Sequence, residues 1–352
     1  MRFAVAFCNQ QSTPKLSVCV IDVDSGARAW LDVPAAFDRG AAGITRRGDE
    51  LLVACQPGGI VRYGPRLEPL ALLPTPEAGN LHSILYRDEE RAVYVVSARD
   101  DTLYRYVLDD TGARFVRCDT VYCADPQGRG QDRYHLNSVA FWNGEPYVTC
   151  FGPTEGATHR DRRNGRVLRV ADGSTVVDGL YHPHSLFVHD DELLVIESQA
   201  RVVRRVAGGE PCAWHIDGGY PRGIVAGAPG RVWVGVSALR RESMSLGTAN
   251  VMTSTSPVDY CTRLVELDLG TGELGRSIDL TLLAAEVFDV HALPLPDAFV
   301  PDPDGGLPAR IEALEESYRA MRAAKRDVEH ELGSSPWQRA RRFARRVRSR
   351  LS

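Results

Sequence analysis

Residues 184–198 read HSLFVHDDELLVIES, and this stretch shows the unit from which the chain is built. One variable residue is followed by small Ser185, an apolar triplet, the polar turn HDDE and a second apolar run. Two apolar runs joined by a short polar turn are typical of a β-hairpin. The segment therefore predicts two adjacent antiparallel strands.

Five further segments share this arrangement, so the chain contains an internal repeat. In four of them a polar turn and a second apolar run follow, whereas the last segment ends after its first run. The six units start at residues 42, 82, 137, 184, 222 and 288, which gives spacings of 40, 55, 47, 38 and 66 residues. A four-stranded propeller blade takes about 40 to 45 residues. The spacings therefore favour one blade for each unit, with insertions in the longer intervals.

The two ends of the repeat complement each other. The last unit lacks its later strands, and the N-terminal segments FAVAFC, LSVCVIDVD and ARAWLDV supply the missing ones. Joining both ends in one blade closes the ring without an exposed strand edge. We therefore predict an all-β fold over residues 1–298, a six-bladed β-propeller with Velcro closure by the N-terminal strands. A β-sandwich is the alternative.

The character of the sequence changes after residue 298. Residues 299–308 form a Pro/Gly-rich linker, and residues 309–352 predict an α-helical, arginine-rich C-terminal extension. Seven of the last 17 residues are arginine and none is acidic. We expect this basic helix to dock on the protein itself, on a partner protein or on an anionic membrane. Binding to nucleic acid is the least favoured of these options.

Composition and charge indicate a soluble, cytoplasmic protein. Hydrophobic residues make up 43% of the chain and charged residues 25%, with a net charge of −4. This charge argues against a protein that coats nucleic acid. The N-terminal apolar stretch is too short for a signal peptide, and no apolar run is long enough to span a membrane. The eight cysteines form no CxxC pair, which favours reduced thiols over a cysteine zinc site.

Equivalent positions of the six units are expected to meet on one axis. The first strand of each propeller blade lines the central channel, so the residues just before the small residue converge at one mouth. His135 and His182 lie two residues before two of these positions and therefore on the same side of their strands. The six converging residues are Ala42, His82, Asn137, His184, Arg222 and Phe288.

The side chains at this mouth predict a polar, histidine-rich pocket. His82, His135, His182 and His184 are candidate catalytic residues, because an imidazole can act as an acid or a base near neutral pH. Arg222 is a candidate substrate-binding residue, since a guanidinium can hold a carboxylate or phosphate with two hydrogen bonds. The alternative is that the histidines cap strand ends and have only a structural role.

Three further residues complete the candidate substrate-binding set, namely Asn137 in the first-strand position and Gln56 and Glu197 at the ends of second strands. His82, His184 and Asn137 could also hold one divalent metal ion. Imidazole ligands favour zinc, iron or manganese over calcium, which takes oxygen ligands. No glycine-rich phosphate loop or dinucleotide fingerprint is present, so we expect no nucleotide cofactor.

Three short elements carry a family resemblance, HLN at 135–137, HPHS at 182–185 and PRG at 221–223. They resemble an uncharacterised bacterial family of stand-alone six-bladed propellers, over roughly residues 1–295. The chain is also distantly similar to the superfamily of gluconolactonases, paraoxonase-type lactonases and strictosidine synthases. The resemblance implies that Asn137–Ser138 matches a position at which that superfamily places calcium ligands. Histidine or arginine stands at other such positions, which does not suit calcium.

These features predict an enzyme that acts on a small polar or anionic molecule in the histidine-rich pocket, either with or without the assistance of a metal ion. Hydrolase, lyase, cyclase and isomerase chemistry all fit. The alternative is a non-catalytic propeller that binds a ligand or a protein partner, because a fold does not determine a function.

Overall fold

The computed structural model describes the chain up to residue 293, with gaps. The described residues are 1–8, 17–31, 33, 40–56, 58–128, 131–154, 163–239, 242–243, 248–249 and 256–293, of which 242–243 and 248–249 are described by backbone only. The chain divides into two units, Met1–Asp302 and Pro303–Ser352. The predicted linker at 299–308 and the predicted helical extension at 309–352 lie outside the described residues.

Six four-stranded sheets contain all strands of the described residues except one short pair. The N-terminal strands are β1 (Arg2–Phe7), β2 (Val18–Asp22) and β3 (Arg28–Trp30). Blade 1 contains β4 (Ala41–Arg47), β5 (Glu50–Cys55), β6 (Ile60–Tyr63) and β7 (Pro69–Leu73). Blade 2 contains β8 (Leu81–Arg87), β9 (Ala92–Ser97), β10 (Thr102–Leu108) and β11 (Phe115–Cys123). Blade 3 contains β12 (Leu136–Trp142), β13 (Glu145–Cys150), β14 (Gly165–Arg169) and β15 (Thr175–Leu180).

The remaining blades follow the same pattern. Blade 4 contains β16 (Pro183–His189), β17 (Glu192–Glu197), β18 (Val202–Ala207) and β19 (Cys212–His215). Blade 5 starts with β20 (Tyr220–Ala226) and β21 (Arg231–Ser237). A short pair, β22 (Glu242–Ser243) and β23 (Thr248–Ala249), and a 3-10 helix at Pro257–Tyr260 precede its outer strands, β24 (Arg263–Asp268) and β25 (Leu274–Asp279). The last strand is β26 (Val287–Ala292). No helix among the described residues has the length and apolar character needed to cross a membrane.

Blade 6 combines the N-terminal strands with the last strand. β26 pairs with β1, with Val290 opposite Val5 and Ala292 opposite Phe3, and the strand order is β26-β1-β2-β3. The inner strands β4, β8, β12, β16, β20 and β26 contact one another in turn, and the last contacts the first. The predicted six-bladed β-propeller with Velcro closure by the N-terminal strands is therefore confirmed.

The apolar runs of the second strands reflect burial on both faces of each blade. In β17, Leu194 and Ile196 pack toward blade 5, whereas Leu193 and Val195 pack toward blade 3. All four side chains are fully buried. Burying a side chain of this size contributes about 1.5 to 3 kcal/mol. A strand between two neighbouring blades therefore needs apolar residues at successive positions, and the sequence LLVI at 193–196 meets this need.

The small residues that recur in the repeat lie where neighbouring inner strands approach closely. A Cβ atom added to Gly43 would lie 2.5 Å from the backbone nitrogen of Ile84 and 2.6 Å from the carbonyl oxygen of His82. Both contacts are backbone contacts, so the neighbouring strand would have to move. Glycine at this position therefore lets blades 1 and 2 meet at the axis.

Side-chain oxygens at the same level connect three pairs of neighbouring blades. We call Ser138, Ser185 and Asp289 the tether residues. Their oxygen atoms accept hydrogen bonds from the backbone N–H groups of Leu186 (3.1 Å), Gly223 (3.0 Å) and Ile44 (2.8 Å) in the next blade. Asp289 joins the last blade to the first. Burial raises the pKa of Asp289 to about 7, although the Ile44 and Val290 N–H groups lower it.

Candidate functional site

Four imidazoles and one phenyl ring form a compact group at the mouth where the inner strands begin. Phe151, which directly follows β13, lies 4.6 Å from His135, 4.5 Å from His182 and 5.0 Å from His184 between ring centroids. His82 lies 4.9 Å from His135. We call these five residues the imidazole cluster. The structure thus brings together the four histidines that equivalent positions in the repeat placed at one mouth.

Hydrogen bonds determine the tautomer of His184. Its Nδ1 lies 3.1 Å from the carbonyl oxygen of His182 and 2.7 Å from Oγ of Ser198. A carbonyl oxygen can only accept, and the Ser198 hydroxyl donates its own hydrogen to the carbonyl oxygen of Pro221. Nδ1 of His184 must therefore carry the proton. Its Nε2 is buried without a hydrogen-bond partner among the described residues, so this nitrogen presents an unused lone pair.

His82 is a second imidazole with unused capacity. Its side chain is 5% exposed, and its Nδ1 is buried without a partner among the described residues. Burial lowers the pKa of His82 well below 6.5, and the nearby His135 and Arg222 lower it further. Burial and Arg222 likewise hold the pKa of His184 well below 6.5. Both rings are therefore neutral at neutral pH and able to accept a proton or a hydrogen bond.

A buried cation lies beside these neutral rings. The guanidinium of Arg222 stacks over the rings of Tyr220 and Phe288 at 4.9 and 5.5 Å. One of its terminal nitrogens lies 3.4 Å from a carboxylate oxygen of Glu286. Burial by itself would lower the pKa of Arg222, but the nearby Tyr220, Cys8 and Glu286 raise it by more than burial lowers it. The pKa of Arg222 therefore lies above its usual value, and the group stays charged. Its Nε is buried and has no partner among the described residues, which leaves one N–H available to a ligand.

An aspartate that the repeat pattern did not indicate orients His135. Nδ1 of His135 lies 2.9 Å from Oδ1 of Asp132. The loop that carries both residues is held by Asp101, whose carboxylate accepts hydrogen bonds from three backbone N–H groups, those of Arg133, Tyr134 and Leu136. Asp132 stands three residues before His135 in the segment QDRYH. That spacing is the signal that could have identified it.

The histidines that precede two inner strands have an unusual backbone. His135 and His182 have φ values of 50° and 52°, and Asn80 at the equivalent position of blade 2 has 48°. A left-handed conformation costs about 1 to 2 kcal/mol for a residue with a Cβ atom. It also turns the side chain toward the channel mouth, where His182 stacks on Phe151 at an interplanar angle of 7°. Backbone strain of this kind is concentrated at functional sites.

The other predicted substrate-binding residues make hydrogen bonds within the protein. The amide of Asn137 donates to the carbonyl oxygen of Pro183 (2.8 Å), and its oxygen accepts from the hydroxyl of Thr149 (2.7 Å). Nε2 of Gln56 donates to the carbonyl oxygen of Leu81 at 2.9 Å. Asn137 and Gln56 thus connect neighbouring blades.

Glu197 also has partners within the protein. One oxygen of its buried carboxylate accepts from the backbone N–H of Tyr181 at 3.0 Å, and the other is paired with Arg204. Neither contact is with a histidine of the imidazole cluster or with Arg222. The carboxylate that does accompany Arg222 belongs to Glu286, which lies just before β26 and not at the end of a second strand.

The donor set at this mouth does not fit the predicted metal site. His82 and His184 each offer one unpartnered nitrogen, but the oxygen of Asn137 accepts from Thr149 and its amide is bonded to Pro183. No group of three His, Cys, Asp or Glu residues within the described residues is placed to hold a metal ion. The charge of Arg222 also disfavours a second cation nearby. The residues present fit an anionic or polar ligand better.

A cavity of about 610 Å³ extends along the axis from the imidazole cluster toward the opposite mouth, and all six inner strands contribute to its wall. His184 and Asn137 line one end, and Arg87, Asp88 and Glu89 line the other. Small-molecule sites typically have volumes of about 300 to 1,000 Å³. The cavity is therefore large enough for a small molecule, and it reaches His184.

Several solved structures have folds similar to that of this chain. A protein of unknown function from Bacteroides caccae has a TM-score of 0.58 at 11% identity, with 83% of this chain and 98% of that chain covered. A chain of a nidogen/laminin complex has a TM-score of 0.57 at 10% identity, with 82% of this chain and 97% of that chain covered. A putative 6-phosphogluconolactonase from Bacteroides uniformis has a TM-score of 0.50 at 11% identity, covering 82% and 98%. At these identities the likeness concerns the fold alone.

The sequence comparison identifies a family. No curated protein matches the chain significantly. Residues 79–299 match the family model described as "Domain of unknown function (DUF4915)". This region contains blades 2 to 5, the inner strand of blade 6, and every residue of the imidazole cluster. The predicted resemblance to an uncharacterised family of six-bladed propellers is confirmed. The match spans more than half of the sequence, and the chain therefore belongs to the DUF4915 family.

Proposed function

We propose that the protein is an enzyme that acts on a small polar or anionic molecule at the imidazole cluster. The observation that carries this proposal is the unused Nε2 of His184, whose tautomer is determined by Ser198 and His182. Burying a polar atom without a partner costs about 1 to 3 kcal/mol. A ligand that donates a hydrogen bond to this nitrogen would offset that cost, which makes the nitrogen a natural binding point.

The geometry supports acid–base chemistry. His82 and His184 are neutral at neutral pH because burial and Arg222 hold their pKa values low. A neutral imidazole beside a bound ligand can remove a proton, and a positioned base of this kind accelerates a reaction by about 10² to 10⁴. Arg222 would hold an anionic or carbonyl oxygen of the ligand through its available N–H. This division of roles fits hydrolase, lyase, cyclase or isomerase chemistry.

The binding step is tested with inorganic phosphate and acetate as probes, by isothermal titration calorimetry. We expect Arg222→Gln to weaken binding by about tenfold or more, because a hydrogen bond to a charged group contributes about 1.5 to 3 kcal/mol. His215→Ala is the control, since His215 lies exposed on the outer strand β19. Equal affinity of the wild type and Arg222→Gln for both anions would contradict the proposed role of Arg222.

The chemical step is tested by incubating the protein with a panel of small carboxylic and phosphoric esters, lactones and hydroxy acids, followed by mass spectrometry of the products. We expect turnover of one class by the wild type and by His215→Ala, and loss of at least about 10² in rate in His184→Ala. Ligand binding without any turnover would instead support the non-catalytic, ligand-binding alternative.

The same protein samples test the metal assignment. Elemental analysis for zinc, iron and manganese is performed on the wild type and on the His82→Ala/His184→Ala variant. Because Arg222 and the bonded Asn137 disfavour a cation here, we expect no stoichiometric metal that depends on the two histidines. One equivalent of metal that is lost in the double variant would restore the metal-assisted mechanism.

The C-terminal residues 309–352 are a separate proposal. Their seven terminal arginines without an acidic residue favour docking on the protein itself or on a partner protein, ahead of an anionic membrane and nucleic acid. Cosedimentation of the full chain and of a chain ending at residue 308 with phosphatidylserine vesicles tests this order. Strong vesicle binding by the full chain, but not by the shortened chain, would instead favour an anionic membrane as the docking partner of residues 309–352.

A further inference from the structure

A thiol lies beside Arg222, the cation next to the imidazole cluster. Cys8 directly follows β1, and its sulfur lies 3.5 Å from a carboxylate oxygen of Glu286 and 3.9 Å from a terminal nitrogen of Arg222. The same nitrogen lies 3.4 Å from the Glu286 oxygen. Cys8, Glu286 and Arg222 are 3%, 6% and 8% exposed. Three separate parts of the sequence thus bring a thiol, a carboxylate and a guanidinium together.

The surroundings of Cys8 differ from those of the other buried cysteines. The sulfurs of Cys19 and Cys55 face backbone carbonyl oxygens at 3.6 and 3.7 Å. Burial raises the pKa of each of these two thiols to about 12, and that of Cys150 to about 11. These three thiols therefore stay protonated and inert. Cys8 is equally buried, but it has both a guanidinium and a carboxylate beside it. The positive charge favours the nucleophilic thiolate, and the carboxylate can accept the thiol proton.

The neighbourhood of Cys8 also has polar atoms left for a ligand. Nε of Arg222 and Nδ1 of His82 are both buried without partners among the described residues. The two side chains contact the same ring, that of Phe288, at 5.5 and 5.0 Å. The Phe288 ring lines the axial cavity, so Arg222 and His82 lie behind one wall of the space that a ligand would enter.

We propose that Cys8 is a nucleophile for this ligand, an inference that rests on the proposed function because it concerns the same site. The ligand class is a small carbonyl compound with a polar or anionic group. The sulfur attacks the carbonyl carbon, a carbon–sulfur bond forms, and the electron pair of the C=O π bond moves to the oxygen. The thiol proton passes to Glu286, and Arg222 stabilises the negatively charged oxygen.

Alkylation with iodoacetamide tests the reactivity of Cys8 without any substrate. In this reaction the sulfur forms a bond to carbon, the carbon–iodine bond breaks, iodide leaves with the electron pair, and the thiol proton passes to Glu286. Site-resolved mass spectrometry on the native full chain follows each cysteine separately. We expect Cys8 to react at least about tenfold faster than Cys19, Cys55 and Cys150, because an opposite charge within about 4 to 6 Å favours an ionised group by that factor or more.

Two arginine variants test the cause of this reactivity. Arg222→Gln is expected to slow the labelling of Cys8 about tenfold, because the neighbouring positive charge is removed. Arg263→Gln is the matched control, since Arg263 is equally buried but bonds to backbone carbonyl oxygens. Arg222→Lys keeps the charge and is expected to retain fast labelling. If Arg222→Gln unfolds and exposes all four buried cysteines, labelling of Arg222→Lys still tests whether the positive charge causes the reactivity of Cys8.

The outcomes separate this inference from the proposed function. Labelling of Cys8 no faster than that of Cys19, or fast labelling that Arg222→Gln leaves unchanged in a folded protein, would overturn the nucleophile assignment. Phosphate binding and His184-dependent turnover could still stand in that case. Conversely, fast and Arg222-dependent labelling supports the assignment even if neither phosphate nor acetate binds.

Discussion

Asn137 and His184 occupy equivalent positions in neighbouring blades, and they differ in how fully their hydrogen bonds are used. The amide of Asn137 bonds to Pro183 in the next blade, and its oxygen bonds to Thr149. His184 also forms hydrogen bonds through Nδ1, to the carbonyl oxygen of His182 and the hydroxyl of Ser198, but its Nε2 has no partner among the described residues. The amide of Asn137 is therefore fully engaged within the protein, whereas His184 has one nitrogen that is available to a ligand.

This difference shows that convergence in a propeller does not by itself make a functional residue. The repeat places polar residues of several blades at one mouth, but some of them serve to join the blades. What separates the two roles is the number of hydrogen bonds that remain available after folding. By this criterion we propose His82, His184 and Arg222 as the functional part of the mouth, whereas the hydrogen bonds of Asn137 and Gln56 connect neighbouring blades.

Asn137→Ala is expected to have the largest effect on stability. The substitution leaves the buried Pro183 carbonyl oxygen without this donor and removes one of the two side-chain hydrogen bonds of the Thr149 hydroxyl, whose other partner is Ser138. The free energy of unfolding should therefore fall by about 2 to 4 kcal/mol. Urea denaturation measures the change. His184→Ala should cost less, since it also removes an unpartnered nitrogen. A larger loss in His184→Ala than in Asn137→Ala would reverse the assignment of the two positions.

The two buried imidazoles predict a specific response to acid. The folded state lowers the pKa of His82 and His184 below 6.5, so the unfolded state binds more protons than the folded state does. The contribution of the two neutral rings to stability is therefore full above pH 6.5 and is lost as the pH falls below it. Below pH 6.5 the free energy of unfolding should fall by up to about 1.4 kcal/mol per pH unit for each imidazole.

Denaturation curves from pH 5 to pH 8 measure this response as the difference between the wild type and His82→Ala/His184→Ala. We expect the double variant to lose less stability in acid than the wild type does. If the stability of both proteins changes with pH in the same way, the two rings are not held in the neutral form. The proposed difference between His184 and Asn137 would then be contradicted.

Asp289 predicts the opposite trend, because its pKa is raised to about 7 from 3.8. The folded state then binds the proton more tightly than the unfolded state, so this contribution is full below pH 3.8 and declines as the pH rises through 7. Asp289 is only partly buried and faces the channel, which reduces the effect to about 1 to 2 kcal/mol. The stability of Asp289→Asn relative to the wild type should therefore increase from pH 4 to pH 8. A pH-independent difference would contradict the protonated tether.

Gln56→Ala is expected to have the smallest measurable effect. It removes one hydrogen bond from Nε2 to the Leu81 carbonyl oxygen, and the free energy of unfolding should fall by about 1 kcal/mol. Anion binding at Arg222 should be unchanged. If Gln56→Ala instead weakens phosphate binding without loss of stability, this residue belongs to the functional part of the mouth.

Most of the fold could be predicted from local patterns. Each hairpin shows itself within about fifteen residues, as in 184–198, because strands and their turns depend on neighbours in the sequence. The closure of blade 6 by β1 followed from the incomplete last unit and the three N-terminal strand segments. These inferences needed only the repeat and the requirement that strand edges be paired.

The composition of the site could be predicted only in part. The four histidines and Arg222 were found because they occupy equivalent or nearby positions in the repeat. Phe151, Asp132, Glu286 and Cys8 were missed, since each lies in a loop or at a strand end outside the first-strand pattern. Their importance depends on contacts such as that between Arg222 and Glu286, which are 64 residues apart in the chain.

The order of apolar runs, turns and small residues along the chain was enough to specify six blades, their closure and the mouth at which imidazoles gather, because these follow from the periodicity of strands. Which nitrogens remain without a partner, which carboxylate accompanies the guanidinium and which cysteine lies beside it became known only from the folded chain. The physical reason is that hydrogen bonds between side chains act over about 3 Å. Such distances are set by the packing of six separate blades around one axis.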